Sequence, residues 1–161
     1  QKDLQVAFSG TSRNGFAIAH EISAFSLLPL AEGVIPMMKK RGGGSIITMS
    51  FIGSVLAVPH YHVMGPAKAS LESSSRYLAK EVGPDNIRVN VISPGPIKTL
   101  SASGIKDFAE LMKIGGAHSA MKRTVTQEEV AQTAVFLASN ASSGITGQVI
   151  YVDCGYSIMA N

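Results

Sequence analysis

The stretch "GPDNIRVNVISPGP", residues 83–96, has the form of a turn, a buried strand and a second turn. Gly, Pro, Asp and Asn at residues 83–86 are the residue types that form turns. Residues 87–93 are rich in β-branched side chains, which is typical of a strand that is covered on both faces. The Pro-Gly-Pro of residues 94–96 then interrupts it. Such a strand is expected inside a sheet, and the flanking segments decide which kind of sheet.

On both sides of this strand the chain alternates between helix and strand. "SIITMS" at residues 45–50 predicts an earlier strand, and "QVIYVD" at residues 148–153 predicts a later one. Residues 68–80 predict a connecting helix, and the T-x-x-E capping box of Thr126 and Glu129 predicts the start of another. Strands that alternate with helices are joined by crossovers. The prediction is an α/β fold, a doubly wound, Rossmann-like parallel sheet in a single domain.

Two further helices are predicted from apolar residues at helical spacing. The first covers residues 14–40, where Pro29 and Pro36 are expected to kink or segment it, and the glycines at residues 42–44 end it. The second covers residues 100–114. Parallel sheets bind ligands beyond the carboxyl ends of their strands. The loops that matter are therefore those that follow the first two strands.

Composition limits the functional classes. The 161 residues are 45% hydrophobic and 16% charged, as in a soluble globular domain. A single cysteine, Cys154, forbids an intrachain disulfide and fits a reducing compartment, so the cytoplasm is expected. No apolar run is expected to reach the roughly 18 residues of a membrane span. The net charge of +3 is dispersed, which does not indicate nucleic acid. No acidic or cysteine residue lies near His60 and His62 in the sequence at a metal-ligand spacing, so no metal site is predicted.

Tyr61 and Lys68 lie seven residues apart in "YHVMGPAK". On one helix they would share a face, two turns apart. An ammonium near a phenol favours the phenolate and would lower the tyrosine pKa, as suits a proton donor to an enolate or alkoxide. The alternative is an interfacial aromatic residue beside a surface lysine. The spacing alone leaves both interpretations open.

Several long segments carry a family resemblance, among them "GGSIITMSFIG", "VPHYHVMGPAKASLE" and "GPDNIRVNVISPGPIKTLSASGIKDF". Together they resemble the later two-thirds of the enoyl-acyl-carrier-protein reductases of bacterial type II fatty acid synthesis. These enzymes are divergent members of the short-chain dehydrogenase/reductase superfamily. Ordinary members of the superfamily carry the tyrosine and the lysine four residues apart, whereas the enoyl reductases have the seven-residue separation found here.

The resemblance implies an oxidoreductase that reduces the trans-2 double bond of an enoyl thioester with NADH, NADPH not being excluded. Tyr61 would stabilise or protonate the enolate, and Lys68 would bind the nicotinamide ribose. The other implied cofactor contacts are Gly95, Ile97 and Thr99, and the implied substrate contacts are Phe51, Tyr61, Ala102, Ile105 and Phe108. Lys98 and Lys106 would meet the acidic carrier protein. The family also implies a homo-oligomer, a tetramer, in the cytoplasm.

The sequence departs from the family pattern at three positions. Phe51 stands where most bacterial members have a second tyrosine, Pro94 replaces the usual alanine, and Pro66 lies between Tyr61 and Lys68. Pro66 would kink a helix there unless it falls in the first turn.

The nucleotide-binding half of the family fold is expected to be missing. Residues 6–21 imitate a dinucleotide-binding loop but lack its G-x-G-x-x-G pattern. A longer native polypeptide is therefore expected, because residues 45–50 would otherwise form an exposed edge strand. Two alternatives to the enoyl reductase are another short-chain reductase, acting on ketoacyl substrates, and a non-catalytic fragment that serves as an oligomerisation module.

Overall fold

The computed structural model describes residues 6–97 and 108–160, without the side chains of Phe108 and Leu111. Its helices are α1 Arg13–His20, α2 Leu27–Lys40, α3 Met64–Val82, α4 Phe108–His118 and α5 Gln127–Ala138, and its strands are β1 Gly44–Met49, β2 Ile87–Pro94 and β3 Val149–Val152.

The three strands form one parallel sheet in the order β1-β2-β3, as predicted. Helices cover both faces. On one face Val89 of β2 packs with Leu71 and Leu78 of α3, and on the other Ile92 of β2 packs with Leu137 of α5. Side chains that alternate between two apolar layers are the signature of a strand inside a doubly wound sheet. The predicted α/β fold class is therefore confirmed for the part of the fold that this chain contains.

The first helical run is segmented, but not at its prolines. The interruption is a π-helical turn at Glu21–Phe25, between α1 and α2. Pro29 falls in the first turn of α2, where its missing N–H has no intrahelical acceptor, and Pro36 is accommodated inside α2. The predicted segmentation is right, whereas its predicted cause is wrong. The glycines do end α2, because Gly42 and Gly43 have φ angles of +80° and +144°.

The helical run Arg13–Lys40 is long and apolar enough to cross a membrane by length and composition alone. This corrects the expectation that no segment of the chain reaches that length. A single helix of this kind is a weak indication of a membrane span, because core helices of globular proteins meet the same criterion. Only 22% of its most apolar window is buried, so much of its apolar surface faces outward.

The segment that imitates a dinucleotide-binding loop contains no strand among its described residues. Phe8–Gly10 is a single 3-10 turn, and Ser12 caps α1 by accepting a hydrogen bond from Gly15 N. This agrees with the prediction that the segment only imitates a dinucleotide-binding loop. The predicted capping box is also present, since Thr126 accepts from Glu129 N while the Glu129 carboxylate accepts from Thr126 N.

Asn90 joins β2 to the segment that precedes β3. Its side chain is fully buried, donates from Nδ2 to the Ile145 carbonyl at 2.8 Å and accepts at Oδ1 from Gln148 N at 3.1 Å. The backbone ladder continues alongside, with Gly147 N donating to the Val89 carbonyl at 2.7 Å. A buried amide whose donor and acceptor are both satisfied fixes the register of β3 on β2.

We expect Asn90→Ala to lower the free energy of unfolding of the full-length protein by about 1–3 kcal/mol, because it leaves the half-buried Ile145 carbonyl and the Gln148 N–H without their partner. Urea unfolding at fixed protein concentration measures the change. Asn140→Ala, at an exposed position, is the matched control and should change it by no more than about 0.5 kcal/mol. An equal effect of the two substitutions would contradict the role of Asn90.

Candidate active site

Tyr61 lies in the turn before α3 and not on the helix. Helix α3 begins at Met64, and Met64 N donates to the Tyr61 carbonyl at 3.0 Å. The expectation that Tyr61 and Lys68 project from one helical face is therefore wrong. Pro66 is the third residue of α3, within the first turn, where its missing N–H breaks no helical bond. Pro66 is therefore not expected to kink α3.

The turn that carries Tyr61 has an unusual backbone. His60 and His62, on either side of Tyr61, have positive φ angles of 60° and 36°. Non-glycine residues adopt this left-handed region at a cost and only where the surroundings impose it, which is common at functional sites.

Tyr61 is buried by close packing against the segment that follows β1. Its ring meets the ring of Phe51 edge to face, with centroids 4.8 Å apart. A Cβ added at Gly53 would lie 2.5 Å from Tyr61 Cδ1, and one added at Gly65 would lie 2.7 Å from the Gly53 carbonyl oxygen. Glycine is therefore required at both positions for the turn to seat Tyr61. Only 9% of Tyr61 is exposed.

Lys68 extends from the second turn of α3 to the carboxyl end of β1. Its Nζ donates a hydrogen bond of 2.8 Å to the Met49 carbonyl. Burial lowers the pKa of Lys68, and the charge of Glu72 on the same helix raises it. The ammonium carries three N–H groups, so donors remain for a ligand after the bond to Met49.

The predicted lowering of the Tyr61 pKa is wrong. Burial raises the pKa of Tyr61 to about 12. The reason is geometric, because the Lys68 ammonium is directed to the Met49 carbonyl while the phenol lies among apolar rings and glycines, where the phenolate is poorly solvated. Tyr61 is therefore a neutral phenol at physiological pH, able to donate a hydrogen bond.

The end of β2 lies at the same edge of the sheet. Gly95 N donates to the Val152 carbonyl at 3.0 Å, and a Cβ at Gly95 would lie 3.1 Å from Asp153 Cα. Glycine thus allows the end of β2 to pack against the end of β3. Ser93, the residue before Pro94, is fully buried, and its hydroxyl has no hydrogen-bond partner among the described residues. Ile97 packs against the apolar cluster on the α5 side.

The structure brings together Tyr61, Lys68 and Phe51 at the end of β1, with Gly95 and Ile97 beyond the neighbouring end of β2. The remaining predicted site residues, Lys98, Thr99, Ala102, Ile105 and Lys106, and the side chain of Phe108, lie outside the described residues. Their roles stay predictions.

Two polar residues of this region escaped the sequence analysis. Glu72 is buried, with 6% of its surface exposed, and it accepts a hydrogen bond from the hydroxyl of Ser50, the residue after β1. Glu72 follows Lys68 by four residues, so the two lie on one face of α3. That spacing is visible in the sequence, but only the structure shows that this face is turned to the sheet.

The sequence is similar to a known protein family. A family model described as enoyl-(acyl carrier protein) reductase matches residues 1–157. The chain is 55% identical over 157 residues to the NADH-dependent enoyl-acyl-carrier-protein reductase FabI of Nostoc sp., covering 98% of this chain and 60% of the relative. It is 54% identical over 149 residues to FabI of Neisseria meningitidis, covering 92% of this chain and 57% of that relative.

A solved structure is also similar to the chain. The enoyl-acyl-carrier-protein reductase of Bacillus cereus, solved with NADP+ and indole naphthyridinone, superposes with a TM-score of 0.95 at 48% identity, covering 99% of this chain and 62% of that one. The present chain therefore spans about three-fifths of the length of the relatives that it matches.

The raised pKa of Tyr61 predicts how stability depends on alkaline pH. The folded state holds the phenolic proton more tightly than the unfolded chain, whose pKa is near 10. The contribution of the Tyr61 phenol to the free energy of unfolding is thus fully present below about pH 10 and is lost as the pH rises towards 12. Relative to Tyr61→Phe, the wild type should lose about 2–3 kcal/mol across that interval. Urea unfolding of both proteins at several pH values measures the difference, and parallel curves would contradict the burial of the phenol.

Proposed function

The chain belongs to the enoyl-acyl-carrier-protein reductase family, and from that premise we propose that its protein reduces the trans-2 double bond of an enoyl thioester with hydride from NADH, in cytoplasmic fatty acid synthesis. The observation that carries the proposal is the buried Tyr61 phenol against Phe51, with Lys68 seven residues later at the end of β1. Seven residues is the separation that distinguishes this family from the wider superfamily.

Tyr61 is proposed to act as a neutral hydrogen-bond donor. Hydride addition to the β-carbon of an enoyl thioester moves negative charge onto the thioester oxygen, and a fixed donor at that oxygen stabilises the enolate. A pKa of about 12 keeps the phenol protonated throughout the neutral range. The apolar surroundings of Tyr61 also exclude water from the bond that it donates, which strengthens the bond.

Lys68 is proposed to hold the cofactor ribose. Nicotinamide cofactors supply the hydride in such reductions. The residues fit a ribose, because the Lys68 ammonium is fixed by a single bond to Met49 and has donors left for two neighbouring hydroxyls. Gly95, Ile97 and Thr99 are proposed to line the nicotinamide, with the Ile97 backbone pairing with the carboxamide.

Ala102, Ile105 and Phe108 are proposed to cover the acyl chain, and Lys98 and Lys106 to meet the acidic carrier protein. The adenine and pyrophosphate contacts are proposed to come from the portion of the relatives that this chain does not span. The two relatives named above are NADH-dependent, which supports NADH as the cofactor. The Bacillus cereus structure contains NADP+, so NADPH should be tested beside NADH.

The test is consumption of the reduced cofactor by the full-length protein. With a trans-2-enoyl thioester, cofactor absorbance should fall, faster with NADH than with NADPH. A β-ketoacyl thioester should give no oxidation. Cofactor oxidation with the ketoacyl substrate alone would indicate a ketoacyl reductase instead. Cofactor oxidation with neither substrate would favour a non-catalytic oligomerisation module.

Substitutions of the two central residues should separate chemistry from binding. Tyr61→Phe removes only the hydroxyl, so kcat should fall about 100-fold with little change in the Kd for NADH. Lys68→Ala should weaken NADH binding and lower kcat together. Steady-state kinetics and NADH fluorescence give the two quantities. Lys80→Ala, at an exposed position on the same helix, is the control that should leave both unchanged. Wild-type kinetics in Tyr61→Phe or Lys68→Ala would remove that residue from the mechanism.

A homo-oligomer, a tetramer, is proposed from the exposed apolar surface of α2 and α3. A groove of about 620 Å³ runs between the two helices, and Phe25, Leu28, Ile35 and Leu78 are among the residues that line it. Phe25 is 60% and Leu28 is 42% exposed. Exposed apolar side chains grouped along a groove are typical of an interface, and a second copy of the chain offers a self-complementary one.

The oligomer proposal predicts that Leu28→Glu shifts the full-length protein to a species of lower mass, because a carboxylate would have to be buried in the contact. Light scattering after size exclusion measures the mass. Met121→Glu, which also replaces an exposed apolar residue and lies outside α2, α3 and the last helix, is the control and should leave the mass unchanged. A wild type that is monomeric at all concentrations would contradict the proposal.

A further inference from the structure

Three hydroxyl-bearing residues stand in a row across the ends of the three strands. Ser93 of β2 pairs with Tyr151 of β3, and Ser50 N donates to the carbonyl of Ile92, which brings Ser50 level with Ser93. Side chains alternate between the faces of a strand, and Val89 packs on the α3 side while Ile92 packs on the α5 side. Ser93 therefore faces α3, as do Ser50, which contacts Glu72, and Tyr151.

Glu72 lies over this polar row. It accepts from the Ser50 hydroxyl, its charge acts on Tyr151, and its charge also acts on Lys68 one helical turn away. A carboxylate that is 94% shielded from solvent is costly unless it is bonded and balanced by charge. The Ser50 hydroxyl supplies the bond and the Lys68 ammonium supplies the balancing charge.

Lys68 and Glu72 bind two consecutive residues at the end of β1. Lys68 binds the carbonyl of Met49, and Glu72 binds the side chain of Ser50, the next residue. The residue after Ser50 is Phe51, whose ring packs on Tyr61. A change at Glu72 would thus reach the aromatic contact through Ser50 and the ammonium through space.

We propose that Glu72 is a positioning residue of this site, whose carboxylate anchors Ser50, and with it Phe51, at the end of β1 and whose charge balances the Lys68 ammonium. The catalytic part of the proposal rests on the proposed reductase function. The electrostatic part concerns this chain's own residues and is measurable without turnover.

The ionisable neighbours set the direction of the expected pH effect. Lys68 lies beside Glu72 on α3, Tyr61 precedes α3, and Tyr151 faces Glu72 from β3, with Asp153 beyond it. Burial, followed by the charges of Glu72 and Asp153, raises the pKa of Tyr151, which keeps that phenol neutral. The neighbours from β1 and β2 are the hydroxyls of Ser50 and Ser93. Glu72 is therefore the charge that opposes the lowering of the Lys68 pKa by burial.

The first test is the titration of Lys68 in the full-length protein. Trace acetylation with acetic anhydride modifies only the neutral amine, and mass spectrometry quantifies the Lys68 peptide against that of exposed Lys80. Glu72→Gln keeps the shape and a carbonyl acceptor for Ser50 but removes the charge, so Lys68 should become reactive at lower pH than in the wild type. Glu72→Asp keeps the charge and should restore the wild-type titration. Glu128→Gln, an exposed carboxylate on α5, should have no effect.

The second test is the pH profile of kcat/KM for an enoyl thioester. In Glu72→Gln the alkaline limb should move to lower pH, with kcat/KM reduced about tenfold at the alkaline end. Ser50→Ala should leave the titration of Lys68 in place and lower kcat at every pH, because the anchor of Phe51 is lost while the charge remains.

An unchanged Lys68 titration in Glu72→Gln overturns the electrostatic role, and wild-type kcat in Ser50→Ala overturns the anchoring role. A wild type without enoyl reductase activity that still shows the shifted Lys68 titration would refute the proposed function and support the charge balance. The two failures are therefore distinguishable.

Discussion

The parallel ladder between β1 and β2 is the constraint on which the candidate site depends. Its register runs from Gly44 beside Ile87 to Met49 beside Ile92, so both strands end at one edge of the sheet. The loops that leave this edge carry Phe51 and Tyr61 on one side and Gly95 and Ile97 on the other. Residues that are far apart in sequence meet because parallel strands align their carboxyl ends.

Helix α3 is attached to this edge by charged side chains as well as by apolar packing. Leu71 and Leu78 supply the apolar contact with the sheet, whereas Lys68 and Glu72 bind the backbone and side chain at the end of β1. A carboxylate as buried as that of Glu72 contributes little net stability even beside an ammonium, since desolvation offsets much of the attraction. Lys68 and Glu72 instead fix the geometry at the end of β1, where the candidate active site is located.

The fold was predictable because its signals are local. The β-branched runs, the glycines after α2 and the capping box at Thr126 each act over a few residues, and each is found where it was expected. The position of Tyr61 was not predictable, because the start of α3 depends on contacts at Gly53 and Gly65 that only the folded chain makes. The predicted direction of the Tyr61 pKa shift was wrong for the same reason. It depends on where the Lys68 ammonium is directed, and sequence spacing carries no information about that.

The length of α3 allows one helix to serve two surfaces. The candidate site uses its first turns, up to Glu72, whereas the apolar groove against α2 reaches Leu78 and Glu81 near its end. Ten residues separate Lys68 from Leu78, which is about 15 Å along a helix. A partner seated in the groove would therefore leave the mouth of the site open. The partner would also contact the outer side of α3, the helix that carries Lys68 and Glu72. An association at the groove would therefore act on the same helix that carries Lys68 and Glu72 at the proposed site.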